Sequence, residues 1–96
     1  MSTVASTPQL LFFYSPTSGR SRRAEGFLAQ VLQRRHNHAS FTVRRIEAER
    51  HPDLLERFRI QELPTFLVVA ENRVQARITA PRGCVEITRA LAPWLN

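Results

Sequence analysis

The sequence predicts an α/β fold with the element order β-α-β-α-β-β-α, in which helices cover both faces of a central mixed four-stranded sheet. Residues 9–14 and 65–70 are continuous apolar runs, which are typical of strands buried on both faces. Residues 21–34 carry apolar side chains at helical spacing. The strand–helix–strand order at the start has the length of a right-handed parallel crossover.

The first half of the chain divides into a strand, a helix and a second strand. The run QLLFFY, residues 9–14, ends at Ser15-Pro16. The helix follows over residues 21–34, and either Ser18 or Ser21 could cap its start. The segment FTVRRIEA, residues 41–48, is rich in β-branched side chains and predicts the second strand.

The second half predicts a short helix, a hairpin and a last helix. Pro52 suits the first turn of a helix in RHPDLLERFRI. The strand 65–70 is followed by the turn ENR and by VQARIT, in which alternation places Val74, Ala76 and Ile78 on one face. The segment CVEITRALAPWL predicts the final helix, which Pro93 should end near Ala92.

Length and composition predict one domain over residues 9–96 after a flexible tail over residues 1–8. No apolar stretch is long enough to span a bilayer, and the start does not resemble a secretory signal. The single cysteine, Cys84, cannot form an internal disulfide, which suits the reducing cytoplasm. His36, His38 and His51 lack metal-ligand spacing, so we expect neither metal nor cofactor.

The chain has a net charge of +6, and all 14 of its Lys and Arg positions are arginine. Arginine pairs bidentately with phosphate and carboxylate, so the surface should attract anions. The aromatic residues fall mostly on core-facing positions and do not predict an exposed platform for stacking bases. Nucleic-acid binding through the arginines is therefore an alternative to binding a protein.

Two blocks of the sequence resemble the thioredoxin family. Residues 13–22, FYSPTSGRSR, match the family stretch F-W-A-P-W-C-G-P-C-R, and HPDLLERFRIQELPT, residues 51–65, matches the family segment that ends in I-P-T. The resemblance spans residues 10–95 and implies a minimal thioredoxin-like fold without the family's opening strand and helix. It also implies a cis peptide bond before Pro64 that faces the active turn.

The resemblance fails at the residues that carry thiol chemistry. Ser18 and Ser21 stand where the family has its two redox cysteines, Thr17 replaces a tryptophan, and Phe12 replaces a buried aspartate. A serine hydroxyl cannot form a disulfide and is a poor nucleophile without a base. The chain is thus linked by family to redox homeostasis, yet we expect the turn to have no redox activity.

These departures predict a binding module rather than an enzyme. The expected site is a groove that holds a protein or peptide, formed by Ser15, Pro16, Thr17, Ser18, Gly19, Arg20, Ser21, Leu63 and Pro64. The backbone of Leu63 would pair with an extended peptide. The helix start, with Arg20, Arg22 and Arg23 nearby, could instead bind an anionic group or serve only as a helix cap.

Two further alternatives stay open. Cys84 follows Gly83 at the start of the last helix, where a thiolate gains from the helix dipole, so a thiol oxidoreductase using Cys84 is one. The chain is also similar to KaiB-type clock proteins, which have this length, lack the cysteine pair and carry a segment like Ser21-Arg22-Arg23-Ala24. Oligomeric state is not predicted.

Overall fold

The computed structural model describes residues 7–33 and 40–95 and has the predicted fold class. Four strands form one sheet in the order β2-β1-β3-β4. The strands are β1 (Gln9–Tyr14), β2 (Thr42–Glu47), β3 (Thr65–Ala70) and β4 (Arg73–Thr79). The helices are α1 (Gly19–Gln33), α2 (Pro52–Arg57) and α3 (Cys84–Leu91). Strands β1 and β3 have the predicted bounds.

The sheet is mixed, as the connections require. Strand β1 runs parallel to β2, since α1 forms the crossover between them, and antiparallel to β3. The β3–β4 pair is a hairpin closed by Glu71 and Asn72, whose φ angles are 56° and 62°. Positive φ at both central residues defines a turn that follows the twist of the strands.

The two faces of the sheet bury separate apolar clusters. Alternate residues of β1, Leu10 and Phe12, face α1 and α3, where Leu28 and Ile87 are also buried. The intervening residues face α2 and form a smaller cluster of Leu11, Phe13, Ile46 and Leu67. Two helices thus cover one face, whereas the other face has only the six-residue helix α2 among the described residues.

Several element boundaries differ by one or two residues from the sequence prediction. Helix α1 begins at Gly19, two residues early, because Ser18 rather than Ser21 caps it. Helix α3 ends at Leu91, next to the predicted end near Ala92, and Ala92–Trp94 continue as a 3-10 turn that accommodates Pro93. A second 3-10 turn, Ala48–Arg50, replaces the predicted end of the second strand.

The predicted face of Val74 is wrong. Strand β3 pairs Val68 with Ala76 but Val69 with Val74, so a β-bulge leaves Gln75 without a partner position. Because paired residues share a face, Val74 lies with Val69 on the α2 side, whereas Ala76 and Ile78 pack against the opposite cluster. Simple alternation had placed all three together.

Helix α2 ends in a left-handed residue that is not glycine. Arg59 has a φ of 55°, the N–H of Ile60 donates to the carbonyl of Leu55 at 2.8 Å, and the N–H of Arg59 donates to the carbonyl of Glu56 at 3.1 Å. This is a Schellman motif. Arg77 of β4 donates from Nη2 to the carbonyl of Phe58 at 2.8 Å and thereby satisfies a further terminal carbonyl.

The predicted tail falls mostly outside the described residues, which begin at Thr7. Among the described residues, the carbonyl of Pro8 accepts a hydrogen bond from the N–H of Thr42 at 3.0 Å. The residue before β1 is therefore already hydrogen-bonded to β2. His36 and His38, predicted in a polar loop, also lie outside the described residues. No helix in the described part of the chain is long and apolar enough to cross a membrane.

Candidate functional site

The turn between β1 and α1 is closed by its own backbone. The N–H of Ser18 donates to the carbonyl of Ser15 at 3.1 Å, which makes residues 15–18 a β-turn. Pro16 occupies the second position of this turn, where its fixed φ is favourable. Thr17 follows, and its hydroxyl lies 3.1 Å from the hydroxyl of Ser15 at the surface.

The two serines at the family's cysteine positions are both engaged in holding this turn. The hydroxyl oxygen of Ser18 accepts a hydrogen bond from the N–H of Ser21 at 3.2 Å, which is an N-cap. Ser21 is only 2% exposed, and its hydroxyl oxygen accepts from the N–H of Ser15 at 3.1 Å. Within the described residues, no histidine or carboxylate hydrogen-bonds to either serine, so neither has a base to activate it.

The start of α1 is positively charged. The first turn of α1 contains no acidic residue, and Arg20, Arg22 and Arg23 are exposed. In the described part of the chain, the N–H groups of Gly19 and Arg20 have no hydrogen-bond partner. Both features favour a negatively charged or hydrogen-bond-accepting group at this end of the helix.

The loop before β3 lies at the same end of the sheet as the turn. Phe13 of β1 pairs with Thr65 of β3, so Tyr14, which follows Phe13, and Pro64, which precedes Thr65, lie together at that end. The Leu63–Pro64 peptide bond is cis, and Pro64 is buried. The N–H of Ala80 donates to the carbonyl of Pro64 at 2.8 Å, which fixes the loop to the end of β4.

The backbone of Leu63 is not hydrogen-bonded in the described structure, whereas the carbonyls of the residues on either side are. The carbonyl of Glu62 accepts from the Thr65 hydroxyl at 2.7 Å, and the carbonyl of Pro64 is bonded to Ala80. Neither the N–H nor the carbonyl of Leu63 has a partner among residues 7–33 and 40–95. The Leu63 side chain packs against the apolar cluster on the α2 face. The N–H and the carbonyl of Leu63 remain available for hydrogen bonding.

A cleft of about 510 Å³ is lined by residues of α1, of the loop before β3 and of the segment that joins β4 to α3. Its lining includes Arg20, from the start of α1, and Glu62, which directly precedes Leu63. The remaining lining residues are Arg23, Phe27, Thr79, Ala80, Pro81, Arg82 and Glu86. Of the predicted groove residues, only Arg20 lines this cleft; the residues from the β4–α3 loop were missed. In the sequence, Pro81 and Gly83 indicate only that the strand pattern ends there.

The β4–α3 loop has an unusual backbone beside the cleft. Ala80 has a φ of 45°, a left-handed conformation that residues with a Cβ adopt at a cost. Arg82 donates its N–H to Oε1 of Glu86 at 3.0 Å and thereby holds the start of α3. The cleft therefore has a charged rim of both signs.

Cys84 lies away from the two serines. It is the first residue of α3 and half-buried, and its Sγ is 3.0 Å from Oε1 of Gln30 and 3.7 Å from the carbonyl oxygen of Phe27. Both partners belong to α1 downstream of the turn. The thiol therefore faces the α1–α3 contact and does not line the cleft.

The described residues offer no metal centre and no stacking platform. No group of three or more His, Cys, Asp or Glu side chains comes together among them. Every aromatic side chain is buried or half-buried, including Phe58 and Trp94.

The chain belongs to the thioredoxin family, because the family model described as Thioredoxin matches residues 2–92. No curated protein matches the sequence significantly. The family match and the β3–β4 hairpin both favour the thioredoxin resemblance over the KaiB-type one.

Solved structures support the fold. The germline-specific thioredoxin Deadhead of Drosophila melanogaster is 22% identical with a TM-score of 0.79, over 93% of this chain and 82% of that chain. Thioredoxin 2 of Pseudomonas aeruginosa is 21% identical with a TM-score of 0.79, over 93% and 80%. Mitochondrial thioredoxin 3 of Saccharomyces cerevisiae is 13% identical with a TM-score of 0.77, over 92% and 79%. At these identities the likeness concerns the fold alone.

Proposed function

We propose that this chain is a non-catalytic member of its family that binds a protein or peptide segment in the groove between residues 15–21 and Leu63–Pro64. The observation that carries the proposal is the Leu63 backbone, whose N–H and carbonyl have no partner among the described residues. An extended segment that pairs with one such residue gains two backbone hydrogen bonds. The adjoining cleft then supplies contacts for its side chains.

The absence of redox activity is part of this proposal. Thiol exchange requires a cysteine that attacks a disulfide and a second that resolves the mixed disulfide. Within these 96 residues the only cysteine is Cys84. The hydroxyls of Ser18 and Ser21 already serve the helix cap and the turn, which supports a structural use of both positions.

The charges of the cleft favour a ligand with both signs. Arg20 and Glu62 both line it, together with Arg23, Arg82 and Glu86. A carboxylate near Arg20 would also meet the N–H groups at the start of α1, where the helix dipole favours negative charge. We therefore expect a segment with an acidic residue on the α1 side and a basic residue near Glu62.

An oxidoreductase acting through Cys84 is the second candidate. Its thiol contacts Gln30 and the carbonyl of Phe27, which supports a packing role between α1 and α3. Titration with a thiol reagent distinguishes a catalytic thiol from a packing role: a slow reaction, accelerated on unfolding, agrees with the packing role.

Binding of nucleic acid has less support, because no aromatic side chain is fully exposed. A location in the reducing cytoplasm remains part of the proposal, on the grounds of cysteine usage.

Selection of random peptides displayed on phage, followed by titration into the purified protein, tests the proposal. The variant Arg20→Glu/Glu62→Arg exchanges the charges of two residues that line the cleft and should select peptides with the reversed order of charges. Arg89→Glu, at an exposed position of α3 that does not line the cleft, should select the same peptides as the unmodified protein. If no peptide is enriched, or if the charge exchange leaves the selected sequences unchanged, the groove is not the binding site.

A further inference from the structure

A second cleft, of about 810 Å³, lies on the α2 face of the sheet. It occupies the end of β1 that begins at Gln9, whereas the turn and Leu63 lie at the end of β1 formed by Tyr14. The two ends of a six-residue strand are about 17 Å apart. The lining of the α2-side cleft includes none of the residues of the proposed groove or of the first cleft.

The floor of the α2-side cleft is aliphatic. Leu11 and Ile46 come from adjacent strands and are 6% and 8% exposed. Val69 lies beside them, and the β-bulge turns its partner Val74 to the same face, where Val74 is 43% exposed. Without the bulge, Val74 would face α1 and α3. The bulge thus extends an apolar strip to the edge of the sheet.

Arginines surround this strip. Arg44 pairs directly with Leu11 in the β1–β2 register, Arg57 comes from α2, and Arg73 comes from the start of β4. Among the residues that the structure describes, no aspartate or glutamate lines the cleft. Within residues 7–33 and 40–95, none of these three arginines forms a salt bridge, whereas the neighbouring Arg45 is paired with Glu25 of α1. The rim carries positive charge that nothing in the described structure neutralises.

We propose that the α2-side cleft binds an acidic amphipathic helix of another protein. Sheet faces in α/β folds are covered by helices, and among the described residues two helices cover the opposite face while α2 alone covers this one. The apolar side of such a helix would contact Val69 and Val74, and its carboxylates would pair with Arg44, Arg57 and Arg73. Charge complementarity and the aliphatic floor together define the partner.

Other occupants fit this surface less well. A second copy related by a two-fold axis would place the same arginines against each other. The residues outside the described ranges, 1–6, 34–39 and 96, include no aspartate or glutamate to pair with the rim. Nucleic acid would match the charge, but the floor offers aliphatic side chains, and the half-buried Phe58 ring has the Arg57 guanidinium 6.0 Å from its centroid.

The test uses a fluorescein-labelled peptide of about 16 residues, long enough to form a helix, with a leucine face and a glutamate face. Fluorescence anisotropy measures its binding to the full chain. We expect saturable binding that Arg57→Glu/Arg73→Glu weakens at least about tenfold and that Val74→Ser weakens several-fold. The matched controls are Arg89→Glu, at an exposed position of α3 that lines neither cleft, and Val85→Ser, at a valine that is 69% exposed on α3. Both should bind the peptide as the unmodified protein does.

Four results would overturn the proposal. Circular dichroism first confirms that every variant is folded. The first contradicting result is that the unmodified protein does not bind the peptide. The second is equal binding of a peptide with serine for leucine, which would reduce the effect to charge. The third is an equal loss in the control variants. The fourth is a different occupant: a single-stranded oligonucleotide that binds more tightly than the peptide, or a dimer in sedimentation that Val74→Ser dissociates.

Discussion

The backbone N–H of Ser15 donates a hydrogen bond to the buried hydroxyl of Ser21 at 3.1 Å, across the turn that joins β1 to α1. We expect Ser21→Ala to lower the free energy of unfolding by about 1–2 kcal/mol, because it leaves this partly buried donor without its acceptor. The free energy of unfolding of Ser21→Cys should fall between those of the unmodified protein and Ser21→Ala, since sulfur is a weaker hydrogen-bond acceptor than oxygen. Urea denaturation measures the change.

The control for Ser21 is Thr17→Ala in the same turn. The Thr17 hydroxyl contacts only the Ser15 hydroxyl at the surface, so its removal should cost less than about 0.5 kcal/mol. Equal stability of Ser21→Ala and the unmodified protein would show that the buried hydroxyl does not hold the turn.

A glycine at position 59 should stabilise the protein. Arg59 has a φ of 55° at the C-terminus of α2, and glycine adopts this conformation without a Cβ clash. We expect Arg59→Gly to raise the free energy of unfolding by about 0.5–1 kcal/mol, after the larger entropy of glycine in the unfolded chain is subtracted. Arg59→Ala removes the same charge but keeps the Cβ, so it should give no such gain in thermal or urea unfolding.

Glycine should also relieve backbone strain at position 80, beside the proposed groove. Ala80 has a φ of 45° while its N–H holds the carbonyl of Pro64, so Ala80→Gly should add about 0.5–1 kcal/mol to the stability. Ala76→Gly is the matched control, because Ala76 lies within β4 and is not among the residues with positive φ. It should destabilise the protein by a similar amount. Loss of stability in Ala80→Gly would contradict a strained backbone at this position.

Restoring two cysteines tests the loss of thiol chemistry. In a Cys84→Ser background, Ser18→Cys/Ser21→Cys should oxidise to an intramolecular disulfide and, once reduced, transfer two electrons to the disulfides of insulin, so that insulin precipitates faster with dithiothreitol. The unmodified protein should not accelerate this reaction. Acceleration by the unmodified protein that disappears in Cys84→Ser would instead assign oxidoreductase activity to Cys84.

The elements that could be predicted are those with a strong local signal. The apolar runs of β1 and β3 gave their bounds, and Pro52 gave the start of α2. The face of Val74 could not be predicted from alternation, because the bulge that reverses it arises from the pairing of two strands. Nor could the choice between Ser18 and Ser21 as the cap, which depends on Ser21 being recruited by Ser15.

The candidate site was predicted only in part, for a similar reason. The motif at residues 15–21 and the Leu63–Pro64 pair are local in sequence and were recognised through the family resemblance. The third wall, formed by Thr79, Ala80 and Pro81, is adjacent to Pro64 only through the β3–β4 hairpin. Its positive φ at Ala80 has no marker in the sequence, because glycine, the usual residue for that conformation, is absent there.

The most direct test of the proposed groove is the amide signal of Leu63 in a nitrogen–proton correlation spectrum, recorded while a phage-selected peptide is added. Binding by backbone pairing predicts that this signal moves downfield and becomes protected from hydrogen exchange, together with changes at Gly19 and Arg20. An unchanged Leu63 signal at saturating peptide, with the largest changes at Arg44 or Val74, would contradict the account and assign peptide binding to the α2 face.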